Sequence, residues 1–456
     1  MDDDQFVSSL DEEEEKETLK NHQNGSAEEG DQLDEHSEFM DQTSSLMSSI
    51  KVNDEEESDR HVKDLYVVVS DPEKHAGGYV SYNVNTKTTR GQFDHPEYNV
   101  RRRYQDFLWL RQRLQESYQT HIIPPLPEKH SFTKHFDRFS PEFLKAREHS
   151  LNKFMQRIAD HPVISFNENL HIFLTAKSWE LTSVKKSGPG LMSRMGDSMR
   201  NMASSWMLKS RDPDFQEMAD YTKTFREKMT AMENISDRIA KDRFDLLEDI
   251  TEFIPIFRLW ANSESKLADP LTAMADALEK NSSSLKTLLR AQDPNFMEPL
   301  REYVLYTDAI KSALKSRDSV QMEYEVTLEE LNRKRAEREE LDKPASGGGG
   351  GRFSSLFSKD TEQSRQERRE KLDANIDELS KLVETGHDRM ECANVDLKAD
   401  IERWHKNKKQ DFRELFTDYA DRHVAYHDEC LKAWQTVLQQ LIGQEHEEDN
   451  DDHKDE

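Results

Sequence analysis

Apolar residues change their spacing several times along this 456-residue chain, and each change marks a different kind of element. Leu65-Tyr66-Val67-Val68-Val69 reads as one strand, and Val80, Tyr82 and Val84, alternating with polar residues, read as a second. Asp71-Pro72 and Gly77-Gly78 supply turn chemistry between them, and a third strand spans Tyr98 to Arg103. Directly after Arg103 the period lengthens: Phe107, Leu110 and Leu114 fall at helical spacing. Leu144, Leu151, Phe154 and Ile158 give a second helix from Pro141 to about Ala159, and a short one runs from Leu170 to Ala176. The pattern predicts an α+β domain over residues 61–180, a three-stranded antiparallel sheet plus helices.

Gly188-Pro189-Gly190 then breaks the chain inside a linker, residues 181–211. Leu191, Met195, Met199, Met202 and Trp206 follow at spacings of four, four, three and four, with Arg194, Asp197, Arg200 and Ser204 on the other faces. Such a short amphipathic helix suits insertion among lipid headgroups or docking on its own protein. Over residues 212–442 the period stays helical. Asp212-Pro213 offers a cap-and-proline start for a helix carrying Phe215, Met218, Phe225, Met229, Met232, Ile235 and Ile239 towards Trp260. A second long segment runs from roughly Glu264 to Leu341, with a bend expected at Asp293-Pro294 and Pro299. After Gly347–Gly351 a third begins near Glu362, and its near-heptad stripe runs through Leu372, Leu397, Ile401, Trp404 and Leu415 to Val437. At 1.5 Å per residue it is roughly 110 Å long. Three such helices predict an all-α antiparallel coiled-coil bundle whose remaining apolar surface is buried by a second subunit.

Composition sharpens the outline. Residues 1–60 hold 21 acidic and 4 basic side chains, and residues 443–456 hold 8 and 1, so both ends read as acidic disordered tails. The N-terminus has no basic, apolar leader, and no apolar run approaches the roughly 18 residues of a spanning helix. Two cysteines, Cys392 and Cys430, imply no disulfide framework. The expectation is a cytoplasmic protein that meets any membrane from outside. No Gly-rich phosphate loop, metal-spaced His/Cys set or nucleophile motif stands out, so no enzyme, cofactor or metal is expected. The acidity argues against nucleic acid.

Three features carry chemistry. Arg101-Arg102-Arg103-Tyr104 places positive charge and a ring at a strand-to-helix junction, which suits a phosphorylated headgroup, although such a run alone is a solvated basic turn. Pro124-Pro125-Leu126-Pro127 is stiff, either an SH3 ligand or a brace that positions Lys129 and Phe132, the latter a candidate for insertion into the membrane with the Leu191–Trp206 face. Arg147 falls on the apolar stripe of its helix, where it needs an anionic partner, unless it snorkels or makes a structural salt bridge.

In order and spacing, Arg103-Tyr104 with Phe107, the proline loop with Lys129, and Arg147 seven residues before Phe154 together resemble the phox-homology (PX) domain. The resemblance implies that Arg103 grips the 3-phosphate of phosphatidylinositol 3-phosphate and Tyr104 stacks on the inositol. It also implies that Lys129 pairs with the 1-phosphate and Arg147 binds the 4- and 5-hydroxyls, leaving Arg101 and Arg102 as flanking charge. Many family members carry Gly where this chain has Glu128. With the linking helix and three long helices, residues 61–442 resemble a sorting nexin of the PX-BAR type. Arg101 to Leu110, Arg157 to Pro162 and Gly188 to Gly196 look like the subgroup of sorting nexins four, seven and thirty. That resemblance implies a crescent-shaped dimer, homodimeric or heterodimeric with a related sorting nexin, that curves early and recycling endosome membranes during cargo sorting, with a role in autophagy. Arg333, Lys334, Arg335, Arg338, Arg352 and Lys359 are the candidate contacts of its BAR membrane face. The competing reading is a coiled-coil adaptor between proteins with secondary lipid binding.

Overall fold

The computed structural model describes residues 63–127, 141–186, 211–342 and 362–451. Strands β1 (Leu65–His75), β2 (Tyr79–Thr88) and β3 (Glu97–Arg103) form an antiparallel sheet in the order β1-β2-β3. Leu65, Val67 and Val69 point into the core while Tyr66 and Val68 face solvent, as strand alternation requires. Asp71-Pro72 is not the turn that the sequence suggests. It lies inside β1 at a register shift between Ser70 and Glu73, with Asp71 at φ 54°. Proline has no N–H for the ladder, so the strand bulges there and pairs again beyond it. The hairpin turn is Ala76-Gly77-Gly78, where Gly78 has φ 71° and donates its N–H to His75 O at 2.9 Å.

β3 runs without a break into α1 (Tyr104–Ser117). Asp106 accepts the Arg103 backbone N–H at 2.7 Å and takes Lys185 Nζ at 2.7 Å, so a carboxylate sits in the first turn where the helix dipole favours it. Helix α2 (Pro141–Ala159) covers β1, and its Asn152 accepts the Val69 N–H at 2.9 Å. A 3-10 turn (Ile164–Phe166), α3 (Glu168–Thr175) and α4 (Ser178–Lys186) complete this module. Its core joins Tyr82, Phe107, Leu110, Leu114, Leu151, Phe154, Ile158 and Phe173.

Three long helical runs follow. α5 (Pro213–Ala261) starts with Asp212 accepting the Asp214 N–H at 2.9 Å and proline in the first turn. α6 (Ala268–Gln292) and α7 (Glu298–Asp342) are one helix interrupted by a π-helical turn, Asp293–Met297, where Pro294 withholds a donor. α8 (Glu362–Asp451) has 90 residues, about 135 Å at 1.5 Å each. Phe215, Tyr303, Ile310, Leu397, Ile401 and Trp404 pack in one cluster, and Met229, Phe296, Leu300 and Leu415 in the next. Ile122, from the segment after α1, is buried in the first of these, so the α+β module docks on the helices. A row of large apolar side chains on α5 and α8 faces outward, including Phe253, Ile256, Leu259, Val424, Leu431 and Leu438.

Candidate functional site

The three consecutive arginines that end β3 have three different surroundings. Arg102 is 1% exposed, and its guanidinium donates to the carbonyls of Phe173 (2.8 Å) and Ala176, capping the C-terminal end of α3. Burial draws its pKa down to about 10, so it stays charged at neutral pH. It is therefore a structural clamp rather than flanking charge. Arg101 reaches back across the sheet to Asp71 at 2.9 Å, Glu73 at 3.2 Å and Ser81 Oγ at 2.9 Å. Arg103 is exposed, and among the described residues no carboxylate pairs with its guanidinium. It lies 3.4 Å over the ring of Tyr79, which is itself stacked on His75 with ring centroids 4.6 Å apart and 17° between planes. His75 Nε2 meets Ser81 Oγ at 2.7 Å, completing a column of imidazole, phenol and guanidinium.

Tyr104 opens α1, and its hydroxyl donates to Pro127 O at 2.5 Å. Arg111, two turns further along the same face of α1, donates Nε to Pro124 O at 3.0 Å. The prolines are thus held by helix α1 as a brace, with no sign of their serving as an exposed ligand: residues 121–127 are all buried. Arg147 comes from α2, 8% exposed, with its guanidinium 4.7 Å from the Tyr104 ring centroid and 4.3 Å from that of Phe143. Burial lowers its pKa, and nearby Tyr82 and Tyr104 act in the opposite sense. Tyr82, buried beside it, is pushed up to about 12. Folding thus brings Arg147 onto Tyr104, two of the four expected headgroup residues, with Arg103 adjacent to Tyr104 in the chain. Lys129 and Phe132 lie outside the described residues, as do Leu191, Met195, Met199, Met202, Trp206, Arg352 and Lys359.

The expected basic face at the end of α7 is locally neutralised. Arg333 pairs with Glu330 at 2.6 Å, Lys334 with Glu337 at 3.3 Å, and Arg338 with Asp342 and, at 2.7 Å, Asp373. Arg335 reaches Ser380 Oγ at 3.4 Å. Such exposed pairs are worth little in stability and leave each side chain able to exchange partners.

The comparisons with known proteins agree with this architecture. The PX domain family matches residues 90–177, and the family described as Vps5 C terminal like matches residues 189–440. Human sorting nexin-30 is 40% identical over 399 residues, 87% of this chain and 82% of that one. The chain belongs to the PX-BAR sorting nexins. This sorting nexin is also 37% identical to mouse sorting nexin-7 over 412 residues, 90% of its own length and 96% of the relative's. With sorting nexin-4 of Neurospora crassa it shares 29% over 416 residues. Its fold resembles that of the SNX-BAR Mvp1 tetramer solved by cryo-EM, with a TM-score of 0.57 at 17% identity over 82% of this chain and 99% of that one. No helix among the described residues is long and apolar enough to cross a membrane.

Sequence reasoning missed Tyr79 and His75. Their signal was the Gly77-Gly78-Tyr79 turn, but only sheet register, which sets Ser81 opposite Arg103, carries Tyr79 beneath the guanidinium.

Proposed function

We propose that this sorting nexin binds phosphatidylinositol 3-phosphate through Arg103, Tyr104, Lys129 and Arg147. It acts without catalysis, as a peripheral protein on the cytosolic face of early and recycling endosomes, in cargo sorting that extends to autophagy. The observation that carries the reading is Arg147 seated over the ring of Tyr104, 43 residues away in sequence, beside an exposed Arg103. Arg supplies bidentate donors for phosphate and vicinal hydroxyls, and Tyr a flat face for the inositol. The helical module supplies the second contact with the membrane as a dimer, homodimeric or with a related sorting nexin. Its support is the outward apolar row on α5 and α8, which a second subunit would cover. Two modest contacts on one chain add in free energy and release readily.

Flotation with vesicles of several diameters, with and without the 3-phosphate lipid, tests this. The parent should float with lipid-bearing vesicles, best at one range of diameters, and Arg103→Ala should stay in the heavy fraction. Equal flotation of the two proteins refutes the headgroup assignment. The carboxylate partners of Arg333, Lys334 and Arg338 favour a second reading, a coiled-coil adaptor between proteins. On that reading, flotation would be indifferent to vesicle diameter.

A further inference from the structure

We propose that Asp400 of α8 is a positioning residue, a clasp that fixes the PX module on the helical module so that headgroup site and bundle meet one membrane together. This rests on the lipid-binding reading above and adds a device that the reading does not contain.

Asp400 is 3% exposed and gathers four groups. Its Oδ2 accepts the backbone N–H of Ile122 at 2.7 Å and faces His121 Nδ1 at 3.1 Å. Its Oδ1 faces His161 Nε2 at 2.9 Å and takes the guanidinium of Arg403 from its own helix. His121, Ile122 and His161 all belong to the PX module, more than 230 positions away in sequence. Burial alone would push the carboxyl up, but the bonds from His121 and His161 outweigh it and hold it well below the usual carboxylate range. A charge placed so deep is tolerable only while its partners stay in place, which makes the contact specific in geometry.

Two buried histidines and a carboxylate whose ligand atoms lie within 4.8 Å of one another also have the make-up of a metal site. The hydrogen bonds point away from that. His161 Nδ1 accepts the N–H groups of Val163 and Ile164, both at 3.1 Å, so the proton of the neutral ring resides on Nε2 and is donated to Asp400. A cation on Nε2 would turn Nδ1–H against two other N–H groups, and Arg403 already supplies positive charge at Oδ1.

A second fastening lies along the same seam. Arg157 of α2 bridges Glu302 of α7 and Asp411 of α8, with Lys153 at 3.4 and 3.2 Å from the same two carboxylates. A clasped PX module presents its site at a fixed angle, so the second membrane contact follows the first without an ordering cost. A released module is tethered only by the chain between α4 and α5.

The clasp also has a pH sense. The groups facing His161 are Asp400 and Arg403 on α8 and His121 on the PX module, while Asp396 lies 3.5 Å from His121 Nε2. Burial, ahead of the opposing Asp400 bond, keeps the His161 pKa below its ordinary 6.5. A base so depressed contributes fully above its unfolded value, and the contribution is lost as pH falls through its folded one. Protonation would put a third N–H against those of Val163 and Ile164.

The test uses the full chain with one spin label on the PX module and one on α8. Asp400→Ala should broaden the distance distribution, weaken flotation on vesicles carrying the 3-phosphate lipid by roughly tenfold, and leave binding of soluble inositol 1,3-bisphosphate unchanged. His161→Gln, whose amide can still donate to Asp400, should keep a narrow distribution and remove the broadening seen on acidification in the parent. If Asp400→Ala does not fold, Asp400→Asn, which keeps an acceptor for Ile122, is read in the same way. A narrow distribution with undiminished flotation overturns the clasp. Stoichiometric zinc in the purified parent that His161→Gln abolishes also overturns it, in favour of a metal centre. Should Arg103→Ala still bind the soluble headgroup, the lipid reading itself falls, independently of the distances.

Discussion

Replacing Tyr79 with leucine removes the platform under Arg103 and leaves the arginine itself in place. The guanidinium sits 3.4 Å over a half-buried ring, and the arginine is exposed. A cation–π contact in such a setting is worth about 0.5–1 kcal/mol. If that energy holds Arg103 ready for a phosphate, its loss reappears as the cost of ordering the side chain on binding, and 1 kcal/mol corresponds to roughly a fivefold weaker affinity. Titration calorimetry with soluble inositol 1,3-bisphosphate reads this without membrane avidity. Tyr79→Phe keeps the ring and should bind within about twofold of the parent. Gly77→Ala offers a lever from outside the stack, because a Cβ there would meet the Tyr79 ring at 3.2 Å and displace it. That variant should fall between the other two. Parental affinity in Tyr79→Leu, together with abolished binding in Arg103→Ala, would refute the preorganisation argument and leave the headgroup assignment standing.

Other outcomes are equally definite. Arg157→Met leaves Lys153 as the cation beside Glu302 and Asp411, with the Tyr303 hydroxyl still donating to Asp411 at 2.6 Å, and should cost about 3 kcal/mol in urea unfolding, at the low end for broken buried pairs because both carboxylates keep some solvent. Burial raises the Glu298 carboxyl to about 8, so folding holds its proton and stability declines as pH rises from the ordinary 4.5 towards 8. Glu298→Gln should flatten that decline and raise the melting temperature at pH 8 relative to the parent. Leu259→Asp together with Leu438→Asp places charge on the outward apolar row and should convert a dimer to monomer in sedimentation velocity, with helicity by circular dichroism unchanged.

Much of the architecture was readable wherever one periodicity ran long enough. The Leu144–Leu151–Phe154–Ile158 stripe located α2 and put Arg147 at a buried position, because a seven-residue gap in a helical stripe has to be filled by whatever stands there. The interruption of the second long helix was legible in Pro294, although what the structure shows there is a π-helical turn over Asp293–Met297. Helix α4 escaped notice because Leu181 is the one buried side chain among those described in it and Trp179 faces solvent, so it has no stripe to read. Asp71-Pro72 looked like a turn because its local chemistry is turn-like, and only pairing with β2 on both sides makes it a bulge. Asp400 carried no signal at all. On a helix of alternating charges it resembles any solvated acid, and its partners are distant in the chain.

The burial of Arg102 bears on how this strand can be interrogated. Basic runs are commonly neutralised as a block, and Arg101–Arg103 invites that treatment. A block replacement would orphan the Phe173 and Ala176 carbonyls and open a side-chain-sized void between β3 and α3. Lost membrane association in such a variant would report a collapsed scaffold, indistinguishable from a missing ligand contact. Removed alone, the exposed Arg103 asks a question about lipid, whereas Arg102 asks one about the scaffold.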